Sequence, residues 1–184
     1  MSSPALERLR ALLCAEGGLI ATVTDPRAAE PTAAADGRRP PASPAALAAE
    51  GPRAEGRREE YELLVEAIYE GYLLHYGEPR LVRPPEADLG LLVGDRLYAI
   101  GLARLVALGD TVAVGELADT ITLSALAQAA GSRELADAVW AAGARAVGWG
   151  SSAPHRRAKQ LVVAGAPGAL DAMRTSSESV PGAP

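Results

Sequence analysis

Phenylalanine does not occur in this chain of 184 residues, and aromatic residues together make up only 4% of it. A core must therefore be filled by Leu, Val, Ile and Ala, so small side chains and tight helix–helix contacts are expected. Cysteine occurs once, at Cys14, which excludes an internal disulfide. The two histidines, His75 and His155, stand too far apart for the paired spacing of a zinc site. No apolar run approaches the ~18 residues that a membrane-crossing helix needs. The start, MSSPALERLRALLCAEGG, lacks the basic residues and apolar stretch of a secretory signal, so cytoplasmic residence is expected. Positive charge is also in deficit: 18 Lys and Arg stand against 23 Asp and Glu, a net charge of −5. That balance argues against a nucleic-acid binder working by phosphate neutralisation. The best basic cluster, His155-Arg156-Arg157 with Lys159, reads as a solvated helix face or as a contact with a partner or phosphate.

What the chain does have is apolar residues, 48% of the total, and they recur at helical spacing. Ser3-Pro4 is a helix-start signal, and Leu6, Leu9, Leu12 and Leu13 come after it, so residues 1–24 are read as a short amphipathic N-terminal helix region. Residues 25–57 are rich in Pro, Ala and Arg and almost free of large apolar side chains, which predicts a flexible, disordered linker. Within it SPAALAAE has the makings of a helical turn or two, but nothing to anchor a core. Residues 58–175 are read as an all-α helical domain, and residues 176–184 as a disordered tail. No segment alternates clearly enough for a strand; LVVAG near Leu161 comes closest, inside a helical pattern.

The first helix of the domain, REEYELLVEAIYEGYLLHYG, places Tyr61, Leu64, Val65, Ile68, Tyr72 and His75 on one stripe and Glu62, Glu66 and Glu70 on another. Three stacked carboxylates repel one another and require water, a cationic partner or a metal. The Glu-x-x-His spacing of carboxylate-bridged di-iron helices is missing, so a solvated face is the expectation. Gly77 and Pro79 end this helix.

The next helix, LLVGDRLYAIGLARLVALGD from Leu91 to Asp110, is apolar on nearly every side, which predicts the buried central helix of the bundle. Gly94 and Gly101 each cost about 1 kcal/mol relative to alanine. Seven residues apart, they share a side on which a neighbouring helix can pack closely. Asp95 beside them, if buried, needs a partner such as Arg96, Arg80, Arg83 or Thr120. Two further long helices come next, TVAVGELADTITLSALAQAAG and, from Ser132, SRELADAVWAAGARAVGWG, and then two short ones after Pro154 and Pro167. Trp140 and Trp149 are nine residues apart, so at most one shares the main core face.

LLVGDRLYAIGLARLVALGD, succeeded by a helix ending in AQAAG, resembles the stretch of trans-polyprenyl diphosphate synthases in which an apolar helix of the form LAGDxLxxxA precedes a Gly-Asp turn. YELLVEAIYEGYLLHYG is similar in position to the family helix that ends in the first aspartate-rich motif. The likeness covers Tyr61 to Gly131 and rests on one motif of moderate specificity. It implies an isoprenoid-synthase-like fold in degenerate form. Catalytic members hold magnesium and an allylic diphosphate between two aspartate-rich motifs; this chain has no Asp-Asp pair, and LLHYGEP stands where the first motif belongs.

The resemblance therefore implies a non-catalytic subunit, similar to the small component of heterodimeric polyprenyl diphosphate synthases, with no cofactor, no metal and no catalytic residues. Such a chain pairs with a catalytic partner through the helices of Leu91–Gly131. Gly94, Asp95, Tyr98, Gly101, Leu105 and Trp140 are the expected interface or packing residues, and Tyr98, Ile100 and Leu105 the candidates for a wall that limits prenyl length. No G-x-S-x-G or phosphate-cradling loop offers other chemistry. The competing reading is a helical adaptor tethered to a multi-protein complex by its N-terminal helix and linker, and a bundle with an apolar ligand cavity is the third. Common to all three is a protein partner, as a homo- or hetero-oligomer, because a helix apolar on all sides needs more cover than short amphipathic neighbours give.

Overall fold

The computed structural model describes residues 4–24 and 43–178 of the chain, and within them it is an all-α bundle of nine helices. These are α1 (Pro4–Glu16), α2 (Gly18–Val23), α3 (Pro44–Glu50), α4 (Arg58–Tyr76), α5 (Ala87–Ala107), α6 (Thr111–Ala129), α7 (Arg133–Trp149), α8 (Ala153–Val163) and α9 (Ala169–Glu178). The helix starts reflect local chemistry. The Ser43 and Ser152 hydroxyls and the Asp110 carboxylate each accept an N–H of the next turn, and Pro44 and Pro154 sit where no intrahelical donor is needed.

The helix at the centre is α4, not α5. Along α4, Tyr61, Leu64 to Ile68 and Glu70 to Tyr72 are all buried, beneath α1, α3 and α5. Helix α5 lies at the edge. It buries Val93, Leu97, Ile100 and Leu105 against its neighbours and leaves Leu92 65% and Val106 57% exposed. The all-round apolar helix is thus covered on one side only, which corrects the expectation that Leu91–Leu108 forms the bundle's centre.

Small residues set the crossings, as the lack of phenylalanine demands. A methyl group at Gly101 would overlap the Ile68 side chain, and one at Gly94 would strike the His75 ring and the Gly71 carbonyl, so α5 runs antiparallel to α4 with the backbones nearly touching. The same device joins α3 to α7, where a methyl group at Gly51 or Gly148 would strike the opposing backbone. That second crossing corrects the reading of residues 43–57 as linker. Ala45, Ala48 and Ala54 are fully buried, and the absence of bulk is what lets α3 lie flat on α7. Residues 25–42, the rest of the proposed linker, lie outside the described residues, as do residues 179–184 of the proposed tail.

Helix α1 is docked on the bundle. Leu9 and Leu13 are fully buried, Arg8 pairs with Glu62 of α4 at 2.7 Å, and Glu16 pairs with Arg96 of α5 at 2.9 Å. A free N-terminal tether, the basis of the adaptor reading, is not what the fold presents. The chain leaving α2 meets the loop before α5 through a bridge between Thr24 and Val82.

Candidate functional site

Glu66 and Glu70 are not on a solvated face; both are buried on α4. Their partner is Arg80, from the loop between α4 and α5. Its Nη2 lies 2.5 Å from Glu66 Oε1, its Nε donates to Glu70 Oε2 at 3.1 Å, and its guanidinium covers the Tyr69 ring. Glu70 also accepts the backbone N–H groups of Arg80 and Leu81 at 2.6 and 2.7 Å, so the carboxylate anchors the loop. Two carboxylates share one guanidinium. Burial pushes the Glu66 carboxyl above its ordinary value, and Arg80 opposes the shift without cancelling it. Only Glu62, the outer member of the row, keeps a partly exposed position.

A second centre joins three segments at Asp110. Its carboxylate accepts the Tyr61 hydroxyl at 2.5 Å, Arg53 Nη2 at 2.7 Å and the Ala113 N–H at 3.0 Å. Burial acts to raise this carboxyl, but the three donors outweigh it and hold it below the usual carboxylate range. Arg53 also donates to the Val147 carbonyl, so the segment after α3 is pinned to α6 and α7 together.

The third centre clamps α8 to α6. Buried Glu116 lies 2.9 Å from Lys159 Nζ and 3.3 Å from His155 Nε2, and Lys159 also reaches Asp119 at 2.7 Å. Burial would raise the Glu116 carboxyl, yet His155 and Lys159 bring it down to about 2. On its other side His155 Nδ1 lies 3.3 Å from Ser176 Oγ of α9. Ser176, His155 and Glu116 therefore stand in the order of a hydrolase triad. Ser176 also donates to the Met173 carbonyl of its own helix at 2.8 Å, and all three side chains are buried, so no hydroxyl is open to a substrate. The centre is a buried clamp.

The residues expected at an interface separate into three groups. Gly94, Gly101 and Leu105 lie inside the chain's own α4–α5 contact, and Ile100 is buried with them. All four are buried within the described residues. Trp140 is core, packed edge-on against Tyr69 at 4.9 Å. Asp95 is at the surface with its side chain 68% exposed, 3.1 Å from His75, whose ring stacks on half-buried Tyr98 at 5.4 Å. Asp95 is thus not a buried charge, and of the partners considered for it none is used; it pairs with His75. Among the described residues no group of three or more His, Cys, Asp or Glu is placed to hold a metal ion, and no helix is long and apolar enough to cross a membrane.

Sequence reasoning missed the outward faces. On α5, Leu92, Ala99, Ala103 and Val106 recur at helical spacing and are exposed, and on α6 so are Val112, Gly115, Ala118, Thr122 and Leu126. Leu91, Leu92, Val106, Val112 and Leu126 are five of the eight large apolar side chains exposed among the described residues. A methyl group at Gly115 would meet nothing within 4 Å, so this glycine, unlike Gly94 and Gly101, has no packing reason among the described residues. The spacing of these residues is visible in the sequence; which side of α5 faces out is not.

No family model, no curated protein and no solved structure matches the chain.

Proposed function

We propose that the chain is a non-catalytic helical subunit that pairs with and regulates a second helical protein through the outer faces of α5 and α6. The observation that carries this reading is the concentration of exposed apolar side chains on those two helices, with Gly115 among them. Fully burying a Val or Leu side chain is favourable by about 1.5–3 kcal/mol. A glycine inside a helix costs about 1 kcal/mol relative to alanine, and at Gly115 none of the described residues comes close enough to account for it. Large exposed apolar patches mark association surfaces. The same helices carry the resemblance to polyprenyl diphosphate synthases, so the catalytic chain of such a synthase, working in isoprenoid or quinone side-chain synthesis, is the first partner to test.

The test is co-purification from the protein's own host, with the eluate assayed for prenyl elongation. A catalytic synthase chain is expected with the wild-type protein and is expected to disappear with Leu92→Glu/Val106→Glu, while helicity is unchanged. Recovery of the same synthase by both proteins, or of no synthase by either, defeats the reading. Gly94 and Gly101 are unsuited to this test, because substituting them disrupts the chain's own packing.

A further inference from the structure

Between α6 and α8 runs an open groove of about 540 Å³. Val163 and Ala164 at the end of α8 give it an exposed apolar wall, Val163 being 68% exposed, while Thr122 and the largely buried Leu123 line its α6 side. Arg156 and Lys159 form its α8 rim. The charges on that rim are unequal in kind. Lys159 is already bound to Glu116 and Asp119, the one carboxylate lining the groove. Arg156 donates one N–H to the Ser151 carbonyl at 2.9 Å, and neither it nor exposed Arg157 meets a carboxylate among the described residues. Helix α8, APHRRAKQLVV, contains no acid at all, although the whole chain has a net charge of −5.

An apolar trough edged by Arg156, which has no carboxylate partner among the described residues, with exposed Arg157 next to it in the chain, on a protein of net negative charge, is complementary to a helix with an apolar stripe flanked by carboxylates. The groove lies open along its length, whereas small-ligand sites enclose most of their occupant. We propose that the α6–α8 groove is a docking site for an acidic amphipathic helix of a partner protein, whose apolar stripe covers Val163 and Ala164 and whose carboxylates meet Arg156 and Arg157. Thr122 lies both in this groove and on the outer face of α6, so the site borders the α5–α6 face, and it does not depend on the identity of any partner there.

The test uses a displayed library of amphipathic helices about five turns long, with Leu, Ile, Val or Ala on the stripe and Glu, Lys, Gln or Ser at the flanks, selected against the full chain. Net charge alone favours lysine at the flanks, so the proposal predicts the opposite of the nonspecific outcome. Glutamate-flanked helices are expected to dominate the selected pool. Their binding is expected to weaken about tenfold or more with Val163→Asp, consistent with the loss of a central apolar contact. Arg156→Glu/Arg157→Glu should invert the flank preference to lysine, and Leu92→Glu on α5 should change nothing. All four positions are on the surface, and unchanged circular dichroism establishes that the variants fold. No enrichment, a lysine-flanked pool, or binding that survives Val163→Asp overturns the proposal; so does binding lost with Leu92→Glu, which would place the helix on α5.

Discussion

Helices α4 and α5 lie antiparallel with their backbones in contact at Gly71, Gly94 and Gly101, yet they meet the rest of the protein in opposite ways. Helix α4 carries the row of glutamates and is buried on nearly all sides, because Arg80 and the backbone of its loop come down to neutralise Glu66 and Glu70. Helix α5 is far more apolar and keeps half of its circumference in water. Burial thus depends on which neighbours a helix has, and polarity alone does not rank it. The consequence for function is that α5, with α6 beside it, has apolar surface to offer a partner, whereas α4 has none left.

The sharpest way to break this contrast is to remove the cation that makes burial of α4 possible. Arg80→Ala leaves two buried carboxylates without a counter-charge, and a loss of about 3–5 kcal/mol in urea unfolding is expected. The wild-type pH dependence has a defined sign. Because the Glu66 carboxyl is raised in the fold, its contribution is most favourable below the ordinary carboxylate value of 4.5 and declines as pH climbs through the folded value. Arg80→Ala removes the opposing charge, so its deficit should shrink on mild acidification. A deficit under about 1 kcal/mol would mean that the glutamates are not a stability centre.

Next in size is the crossing itself. Gly101→Leu drives a side chain into Ile68 and the Leu64 carbonyl, and a loss of about 3 kcal/mol is expected from overpacking. Gly115→Ala, in contrast, should stabilise the isolated chain by about 1 kcal/mol through helix propensity, while weakening any partner that approaches α6 closely. Thermal melts read the first effect and co-purification the second; stabilisation without weaker binding would remove Gly115 from the interface. Smallest on stability is Leu92→Glu/Val106→Glu, within about 0.5 kcal/mol for each substitution.

The α6–α8 clamp gives a pH effect of the other sign. With its folded pKa depressed to about 2, Glu116 contributes stability that is present above 4.5 and is lost as pH falls towards 2. Glu116→Gln should flatten that acid limb of the stability profile, measured by unfolding at stepped pH, and an unchanged limb would show that Lys159 and His155 are held by other contacts.

The all-α class and the ends of α4 to α8 are legible in the sequence because punctuation marks them: Gly77 and Pro79, Gly109 with Asp110, Ser132, and Ser152 with Pro154. Helix α3 is not, since its core contacts are alanines, which composition reads as linker. The burial of Glu66 and Glu70 is illegible for a different reason. It depends on an arginine that local periodicity does not place, and the Glu116–His155–Ser176 clamp likewise joins residues from three helices. The faces of α5 can be enumerated from the sequence, but choosing which one packs requires Gly94 and Gly101 to be placed against α4. Helical spacing by itself therefore does not tell the packed side of α5, with Gly101 and Leu105, from the exposed one.

The central claim, that the chain pairs with another protein through α5 and α6, is tested most directly by the native mass of the complex purified from the host, compared with that of Leu92→Glu/Val106→Glu/Leu126→Glu. The account predicts a wild-type complex with one recurrent partner chain and a triple variant that runs alone at 18.9 kDa with unchanged helicity. A wild-type protein that runs alone, or a triple variant that retains the partner, would contradict it.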